Sequence, residues 1–555
     1  MANSRSGGKL LVECLINQGV TSAFGVPGES YLDVLDALYD AQNRIRMIVN
    51  RHEGGAAFAA EAYGKLTGQP GICFVTRGPG ATNAAIGVHT AMQNSTPMIL
   101  FVGQIGRDMR QREAFQEVDY RAMFGTMVKW VTEIDTADRI PEIVARAFVT
   151  ALSGRPGPVV VALPEDMLRD LSTRDACEAV IWSEPAPDAK DLIRALAELA
   201  GAERPMVIVG GGGWTDQGRK DLQDFVTKNN LPVAVAFRYQ DLMDSTSNGY
   251  AGDAGVGMSP YLKDLMVKAD VILALNIRFG ESTTEGWSLL DVPRPKQKVI
   301  HSHISDRELG KIYQCDVALH AGPNNMVAAL AAAEPVGDWT DWCQQGRNGF
   351  LAMRANASQV GPVNMVTVCA WLRDNLDADC IITNGAGNFA IWPSKFLDYG
   401  PNRRLLAPQS GAMGAGLPAA LAAKVVDPSR QVVCFAGDGD FQMTIAELGT
   451  AAQENLRPII LVLNNGMYGT IRAHQEKHYP NRISATKIEN PDFVAIAKAY
   501  GFHGERVLTT EAFAPAFERA KASASGAMIE IMIDPNDISP FATIQKIRGT
   551  GRAAN

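Results

Sequence analysis

The sequence Gly437-Asp438-Gly439-Asp440 is followed, beyond one predicted helix, by Asn464-Asn465-Gly466-Met467-Tyr468. Each stretch comes directly after an apolar run, residues 431–436 and 458–463, and such runs are typical of buried parallel strands. The residues between them, 444–455, have the periodicity of a helix. Asp438 and Asn465 are therefore predicted at the carboxyl ends of two strands joined by one crossover helix, where open α/β sheets bind ligands.

The side chains at these strand ends point to a divalent metal ion. The carboxylate of Asp438, the amide oxygen of Asn465 and the main-chain carbonyl of Met467 are hard oxygen donors, too few to enclose a metal alone. Such an incomplete set suits Mg²⁺, which prefers octahedral oxygen coordination and takes its remaining ligands from phosphates and water. Gly-Asp-Gly alone is also an ordinary turn, so only the whole pattern has predictive value.

The complete pattern, GDG, a helix, an apolar strand and Asn-Asn, resembles the fingerprint of thiamine-diphosphate (ThDP) enzymes. Further motifs between Phe24 and Asp492 resemble those of the acetolactate synthase large subunit and its relatives. The resemblance implies an α/β fold of three domains with parallel sheets. These are a pyrimidine-binding domain (1–172), a central Rossmann-like domain (190–335) and a diphosphate-binding domain (360–540), followed by a C-terminal tail (541–555). Residues 173–188 and 334–338 are predicted linkers.

The resemblance gives Glu53 the central acid/base role. It lies in RHEGGAAFAAEAYGKLTG (residues 51–68), after a predicted strand at 46–49, and this segment resembles the one that carries the activating glutamate of ThDP enzymes. In that family the carboxylate hydrogen-bonds N1′ of the aminopyrimidine and so promotes removal of the C2 proton of the thiazolium. From the residues alone, a glutamate at a helix start complements the helix dipole.

Several loops are expected, by the same resemblance, to hold the cofactor. Backbone N–H groups at a helix start suit diphosphate oxygens whatever the side chains are. Met413 is expected between the two rings of the cofactor, although a methionine in a Gly/Ala-rich stretch is otherwise core filler. The expected cofactor-binding residues are Pro27, Gly28, Glu53, Gly387, Asn388, Phe389, Gly411, Met413, Gly437, Asp438, Gly439, Asp440, Asn465, Met467, Tyr468 and Gly469. GPGATN (78–83) is predicted as a glycine-rich loop near Glu53.

Three residues are expected on the substrate side, again by resemblance. Phe115 and Gln116 lie in a segment that resembles the glutamine loop of acetolactate synthases, where both face the substrate. Counting from Gly469, His474 stands where that family carries a tryptophan, so acceptor specificity is not transferred. His474 and the nearby His478 are each either a proton shuttle or a surface histidine.

Two cations near the predicted site have two interpretations each. Arg77 occupies a place that the family usually gives to a small residue, and it is either a bidentate partner for a substrate carboxylate or a structural ion-pair partner. Lys129 lies where the family also has a lysine, yet a lysine is commonly a solvated charge.

The central domain raises the question of a second cofactor. The glycine run 210–213 follows a predicted strand, but its spacing is not GxGxxG and no acidic residue closes the next strand. The resembling family binds FAD here as a structural cofactor. This chain lacks the family's Met-His-Gly loop in region 252–258, and Gly280-Glu281 replace two aspartates after Phe279. FAD, another adenine nucleotide and an empty domain all remain open.

The composition sets outer limits on function. A length of 555 residues fits about three domains. The net charge of −8 is mild and unpatterned, so neither nucleic acid nor an anionic membrane is an expected partner. No apolar run reaches the length of a membrane span, and the N-terminus lacks the apolar core of a secretion signal. The eight cysteines lack CxxC spacing and are expected as reduced thiols of a cytoplasmic enzyme.

His301 and His303 share one strand face without acidic or Cys partners, which favours core or nucleotide-edge histidines over metal ligands.

The expected activity is decarboxylation of a 2-oxo acid with transfer of the resulting acyl carbanion to a carbonyl acceptor, dependent on ThDP and Mg²⁺. Glu53 and Asp438 lie on different domains, and in the resembling family such residues meet between subunits, which makes a homodimer the minimum and a tetramer the expected assembly. A simple decarboxylase, an acyl-CoA lyase and a C–C hydrolase are alternatives of the same fold. A nucleotide-binding oxidoreductase using the 210–213 run is an alternative of another class. Intact Glu53, Asp438 and Asn465 argue against an inert scaffold.

Overall fold

The structure is a computed structural model that describes residues 4–550. Within this range the strands form three six-stranded sheets and one two-stranded pair. Every pairing inside the six-stranded sheets is parallel. Because parallel strands require crossover connections, helices separate the strands along the chain. The predicted α/β fold with three parallel sheets is confirmed.

The first unit is closed by a short strand β1 (Arg5–Ser6), which pairs antiparallel with β8 (Leu171–Ser172). Between them lie β2 (Ser22–Gly25), β3 (Arg46–Val49), β4 (Gly71–Val75), β5 (Met98–Gln104), β6 (Trp130–Glu133) and β7 (Pro158–Pro164), in the order β3-β2-β4-β5-β7-β6. Its α-helices are Gly7–Asn17, Leu32–Asp40, Glu53–Thr67, Gly78–Asn94, Tyr120–Phe124 and Ile140–Leu152.

The central unit follows residues 173–188, which contain neither helix nor strand, as predicted for a linker. Its strands are β9 (Pro205–Val209), β10 (Val233–Ala236), β11 (Tyr250–Ala254), β12 (Val271–Leu275), β13 (Lys298–His303) and β14 (Val317–His320), in the order β11-β10-β9-β12-β13-β14. Its helices are Ala189–Ala200, Asp216–Asn229, Pro260–Lys268, Glu281–Thr284, Pro323–Ala332 and Thr340–Ala355. The last of these lies beyond the predicted linker 334–338, yet Trp342 and Phe350 pack into the central core.

The third unit contains β15 (Ile381–Asn384), β16 (Leu405–Leu406), β17 (Val432–Gly437), β18 (Ile459–Asn464), β19 (His503–Val507) and β20 (Ala527–Met532), in the order β16-β15-β17-β18-β20-β19. Its helices are Met365–Asn375, Ile391–Phe396, Gly416–Val426, Asp438–Gln442, Leu448–Glu454, Gly469–His478, Phe493–Ala499, Thr510–Lys521 and Ile544–Thr550. Arg548 joins the last helix to Glu476 of helix Gly469–His478. Residues 551–555 of the predicted tail, like residues 1–3 of the first domain, lie outside the described residues.

Some predicted elements differ from the structure. The predicted helix 444–455 begins as a 3₁₀ turn, Ile445–Glu447, that leads directly into helix Leu448–Glu454, and the Thr444 hydroxyl before it donates to the carbonyl of Gly414 (2.7 Å). Helix Phe493–Ala499 ends before Gly501, whose φ of +81° stops it, and β19 follows.

The glycine-rich stretch GPGATN was expected as a loop that opens a helix, and it is instead the first turn of helix Gly78–Asn94. Its proline occupies an early helical position, where the missing N–H costs no hydrogen bond. The chain turns one residue earlier, at Arg77.

Each sheet has a winding reversal between two neighbouring strands whose following connections leave in opposite directions. The reversals lie between β2 and β4, between β9 and β12, and between β15 and β17. At such a point the loops after the two strands diverge and leave a crevice at the carboxyl edge of the sheet. In the first sheet these loops contain Pro27, Gly28 and residues 76–80, and in the third they contain residues 385–389 and 437–440. The winding therefore places both sets of predicted cofactor residues in crevices.

The first and third units share one apolar core. One apolar cluster runs from Ala57 and Val88 of the first unit to Leu417 and Ala420 of the third.

His301 and His303 of the central unit are buried, and burial lowers the pKa of His301 to about 4. Both are therefore neutral core histidines, as the sequence favours. Among the described helices, none is both long enough and apolar enough to cross a bilayer.

A buried ion pair joins the central unit to the third. Lys395 of helix Ile391–Phe396 contacts Asp253 of β11, and the two side chains are only 5% and 6% exposed. We predict that Lys395→Met destabilises the fold by about 3–5 kcal/mol, because it leaves Asp253 buried without a cation. Urea unfolding followed by circular dichroism measures the change.

The matched control is Lys220→Met, which removes the exposed i,i+4 pair with Asp224. We expect no shift of the unfolding midpoint there, because exposed pairs contribute little. Equal shifts for Lys395→Met and Lys220→Met would contradict the prediction.

Candidate active site

A cavity of about 210 Å³ opens at the winding reversal of the third sheet. It is lined by residues of the third unit only. Those predicted from the sequence are Gly387, Asn388, Phe389, Gly411, Met413, Gly437, Asp438, Gly439, Asp440, Asn465, Met467, Tyr468 and Gly469. Ala386, Trp392, Leu463, Thr470, Ile471 and Ile533 complete the wall. One crevice thus collects five segments that are separated in the sequence.

Asp438 is held firmly at the floor of this cavity. Its Oδ1 accepts from the backbone N–H of Gly439 (2.9 Å), and its Oδ2 accepts from Gly466 N–H (2.8 Å) and from Asn490 Nδ2 (2.7 Å). Burial raises the pKa of this carboxyl above its usual value. A divalent cation at Asp438 would act in the opposite direction and favour the carboxylate.

The donor set fits Mg²⁺. Asp438, Asn465 and Met467 line the same cavity, and Asn465 Oδ1 accepts from the Met467 N–H (3.2 Å), which folds the loop after β18 back on itself. One carboxylate, one amide and one carbonyl leave several positions of an octahedral ion to phosphate oxygens and water. Residues 387–389 begin a short 3₁₀ helix, Asn388–Ala390, beside these donors, where backbone N–H groups suit an anion.

Asp440 accepts hydrogen bonds from the loops on two sides of the cavity. Its Oδ1 accepts from the backbone N–H of Ala386 and of Gly414, both at 2.9 Å. A Cβ at Gly385 would lie 2.0 Å from the same oxygen, so this approach requires glycine. Burial raises the pKa of Asp440 to about 7. Asp440 thus joins both loops that flank the cavity, and its contact with a cofactor stays a prediction.

Glu53 begins helix Glu53–Thr67, directly after the turn that follows β3. Its Oε2 accepts from Asn83 Nδ2 (2.9 Å), and a Cβ at Gly80 would lie 3.6 Å from its Oε1. Helix Gly78–Asn94 thus faces Glu53, as the sequence predicts for GPGATN. Within the described chain, Glu53 is not among the residues that line the cavity of the third unit.

Pro27 and Gly28 lie in the loop after β2, in the first-sheet crevice. A Cβ at Gly28 would meet the Thr76 side chain at 2.5 Å, so the loops after β2 and β4 touch here. Gln116 is nearby, because its carbonyl accepts from Gly78 N–H (3.1 Å). Its Oε1 is buried and has no partner among the described residues, which is expected for a group that meets a ligand. Phe115 is 72% exposed.

Arg77 and Lys129, which the sequence left with two interpretations each, have structural partners. Arg77 forms an ion pair with Glu165, and it donates to the carbonyl of Phe115 (3.2 Å). Lys129 donates to the carbonyl of Ser153 (2.5 Å), and burial lowers the pKa of Lys129 to about 8. Arg77 therefore supports the Phe115–Gln116 loop, and Lys129 caps the end of helix Ile140–Leu152.

His474 does not line the cofactor cavity. It is exposed, stacks on His478 with ring centroids 6.3 Å apart, and faces a larger cleft of about 970 Å³ together with Gly411 and Lys477. Gly411 lines both spaces, so the two are neighbours. The proton-shuttle role of His474 stays a prediction.

Comparison with known proteins agrees with this geometry. Three family models match, described as the N-terminal TPP binding domain of thiamine pyrophosphate enzymes (residues 5–123), their central domain (192–330) and their C-terminal TPP binding domain (385–531). The chain is 31% identical to the acetolactate synthase isozyme 2 large subunit of Escherichia coli K12, over 95% of this chain and 96% of that protein. The chain belongs to the acetolactate synthase large-subunit family.

Two further relatives are similar over comparable spans. The acetolactate synthase large subunit of Parasynechococcus marenigrum is 32% identical over 95% of this chain and 87% of its own length. That of Corynebacterium glutamicum is 30% identical over 93% of this chain and 84% of its own. This acetolactate synthase family member is thus a thiamine-diphosphate-dependent enzyme, as the motifs implied.

Sequence reasoning missed two residues that support the site in this family member. Asn490 donates to Asp438, and also to Asn464 Oδ1 (2.8 Å). Arg238 of the central unit donates to Asn384 Oδ1 (2.8 Å) at the end of β15. Neither has a local motif, since each acts over a long sequence separation and only the fold brings it to the site.

We predict that Asn490→Ala weakens the binding of Mg²⁺ and ThDP about 10- to 100-fold, because partners that orient a metal-binding carboxylate typically contribute that much. Isothermal titration of the purified protein with both ligands measures the affinity. Asn455→Ala, in the turn that ends helix Leu448–Glu454, is the control and should bind normally. Wild-type affinity in Asn490→Ala would contradict the role given to Asn490.

Proposed function

We propose that this protein is a ThDP- and Mg²⁺-dependent carboligase, which decarboxylates a 2-oxo acid and transfers the acyl group to a carbonyl acceptor. The observation that carries the proposal is the similarity to acetolactate synthase large subunits over nearly the whole chain. The oxygen donors of the third-unit cavity support it, because they suit a diphosphate held through Mg²⁺.

Each residue has a role in this proposal. Thiamine diphosphate, when bound, supplies the electron sink for cleaving and forming carbon–carbon bonds. Asp438, Asn465 and the Met467 carbonyl hold Mg²⁺, and the N–H groups of residues 387–389 bind diphosphate oxygens. Met413 orients the cofactor rings, and Glu53 shares a proton with N1′ of the aminopyrimidine.

The wall of the cavity supports chemistry that requires exclusion of water. Trp392, Leu463 and Ile533 are among the residues that line it, and Trp392 is 1% exposed. An apolar wall strengthens the electrostatic interactions inside the site and protects a reactive carbon centre from protonation by solvent.

We propose that the catalytic site lies between two copies of the chain, with a dimer as the minimum unit and a tetramer as the expected assembly. The cavity is lined by the third unit alone, whereas Glu53 and Gln116 lie at the first-sheet crevice. Helix Gly78–Asn94 presents an exposed face, including Ile86, beside Glu53. A C2 dimer in which each first unit meets the other chain's third unit would complete both sites.

This arrangement predicts complementation between two inactive variants, Glu53→Gln and Asp438→Ala. Co-expressed subunits with different tags, purified by both tags in sequence, give heterodimers in which one site carries both defects and the other carries neither. We expect about half the wild-type activity per heterodimer, since one of two sites is intact. Absence of activity in the heterodimer would place the site within one chain.

The reaction is tested by product analysis with pyruvate alone and then with aldehyde acceptors. We predict a carboligation product from pyruvate, and loss of that product in Glu53→Gln while ThDP remains bound. Release of an aldehyde as the sole product would favour the simple decarboxylase. Dependence on coenzyme A would favour an acyl-CoA lyase, and cleavage of a diketone would favour the C–C hydrolase. Binding of NAD without ThDP would favour the oxidoreductase.

We further propose that the central cleft binds an adenine nucleotide. The cleft of about 970 Å³ lies at the winding reversal between β9 and β12, and Gly211, Gly255 and Gly257 allow close backbone approach. The visible absorbance of purified protein distinguishes FAD from a nucleotide without a flavin ring.

The domain boundaries and the cellular location are proposals as well. We infer boundaries at 172 and 190 and near 335 to 360, supported by the irregular segment 173–188 and by the separate sheets. A cytoplasmic location is supported by eight cysteines that are all free thiols.

A further inference from the structure

A buried glutamate of the third unit contacts the turn that leads to Glu53. Glu447 ends the 3₁₀ turn Ile445–Glu447 and is 0% exposed. Its Oε1 accepts from the backbone N–H of Arg51 (3.2 Å) and of His52 (3.1 Å). Its Oε2 accepts from Asn50 Nδ2 (2.9 Å) and from Thr450 Oγ1 (2.7 Å). Both oxygens are thus fully used, and three of the four donors immediately precede Glu53.

The contacts on either side make this turn rigid. His52 caps helix Glu53–Thr67, because its Nδ1 accepts from the Gly54 N–H (3.0 Å). Arg51 reaches back to the third unit and donates to the carbonyl of Gly449 (3.1 Å) and to Gln453 Oε1 (2.8 Å). The backbone on both sides of His52 is therefore fixed before Glu53 begins the helix.

The helix start approaches Glu447 so closely that only glycine fits. A Cβ at Gly55 would lie 2.2 Å from Glu447 Oε1 and 2.7 Å from its Cδ. Since Glu447 is fully buried and hydrogen-bonded at both oxygens, it cannot move aside without leaving polar groups unpaired. The position of the helix start is thus set by the carboxylate.

We propose that Glu447 is a positioning residue for Glu53. It fixes the turn of residues 50–52 from the third unit and thereby holds the Glu53 carboxylate where it meets N1′ of the cofactor. This inference rests on the proposed role of Glu53. A merely structural role, joining the first and third units, would change stability without changing proton transfer, so the two roles have different signatures.

The variants separate these roles. Glu447→Ala removes all four acceptor contacts, and Glu447→Asp keeps the charge but shortens the side chain by one methylene. Glu447→Gln keeps an oxygen for the two backbone N–H groups, and its amide can pair with a rotated Asn50 side chain. The matched control is Glu454→Ala, since Glu454 lies on the same segment and bonds Arg46 of the first unit (2.8 Å) without contacting residues 50–52.

The first measurement needs no cofactor. Amide hydrogen exchange of the apoprotein, read by mass spectrometry over residues 48–54, reports on the N–H groups of Arg51 and His52. We expect faster exchange in Glu447→Ala and Glu447→Asp, and wild-type exchange in Glu454→Ala, because only Glu447 accepts from these groups. Wild-type protection in both Glu447 variants would overturn the proposal.

The second measurement follows the proton that Glu53 helps to move. The rate of hydrogen–deuterium exchange at C2 of bound ThDP is measured by quenched-flow NMR, alongside ThDP affinity and the melting temperature. We expect a loss of about 10- to 100-fold in Glu447→Ala and Glu447→Asp, since a displacement of about 1 Å has costs of that order. ThDP affinity should be unchanged, and Glu447→Gln should recover most of the rate.

Glu53→Gln separates failure of this inference from failure of the proposed function. If Glu53→Gln binds ThDP and exchanges at the wild-type rate, the role of Glu53 is wrong. If Glu53→Gln abolishes exchange while folded Glu447→Asp exchanges normally, only the positioning role is wrong. Adding Glu447→Asp to Glu53→Gln should cause no further loss, because Glu447 acts through Glu53. Should Glu447→Ala fail to fold, Glu447→Asp and Glu447→Gln decide.

Discussion

The constraint on which the site depends is the reversal of winding between two neighbouring strands of each parallel sheet. Parallel strands bring their carboxyl ends to one edge, and a reversal makes two neighbouring loops diverge there. In the third sheet the reversal between β15 and β17 opens the cavity that contains Asp438. In the first sheet the equivalent reversal places Gly28 against Thr76, and a Cβ at Gly80 would lie within 3.6 Å of both Thr76 and Glu53. The topology therefore provides a crevice at the carboxyl edge of both sheets.

Buried carboxylates then fix the loops that the topology leaves free. Asp440 and Glu447 are at most 3% exposed, and each accepts backbone N–H groups from other segments. Burial alone disfavours a carboxylate, and hydrogen bonds to the charged form oppose that effect. A loop held through its own N–H groups keeps its path with glycine at the closest approach, as at Gly385 and Gly55. Asp440 thus fixes the backbone at Ala386 and Gly414, and Glu447 fixes the backbone at Arg51 and His52.

Much of the fold could be predicted from the sequence because local patterns dominate it. Apolar runs gave the buried strands within about two residues, and the strand-end motifs at Asp438 and Asn465 converge in one cavity. The features that could not be predicted depend on contacts between residues that are far apart in the sequence. The first turn of the helix expected over 444–455 is a 3₁₀ turn, and Asn490 reaches Asp438 across 52 positions. The hydrogen bonds from Ala386 and Gly414 to Asp440 also join distant parts of the chain, so only the fold shows them.

The segment from Asp438 to Glu447 connects two proposed functions that the sequence keeps apart. At its beginning Asp438 binds Gly466 and Asn490, which fixes the metal side of the cavity. At its end Glu447 binds the turn before Glu53 of the same chain. In the proposed dimer Glu53 serves the cofactor of the other chain, so this one buried segment contacts both catalytic sites. Its middle is anchored by Asp440 and by Thr444, which bonds the Gly414 carbonyl, so it has no free stretch in which to absorb a shift at either end. The spacing between Asp438 and Glu447 is therefore a determinant of both proposed sites, and the packing of buried Phe441 on Phe493 adds to the polar contacts that define its path.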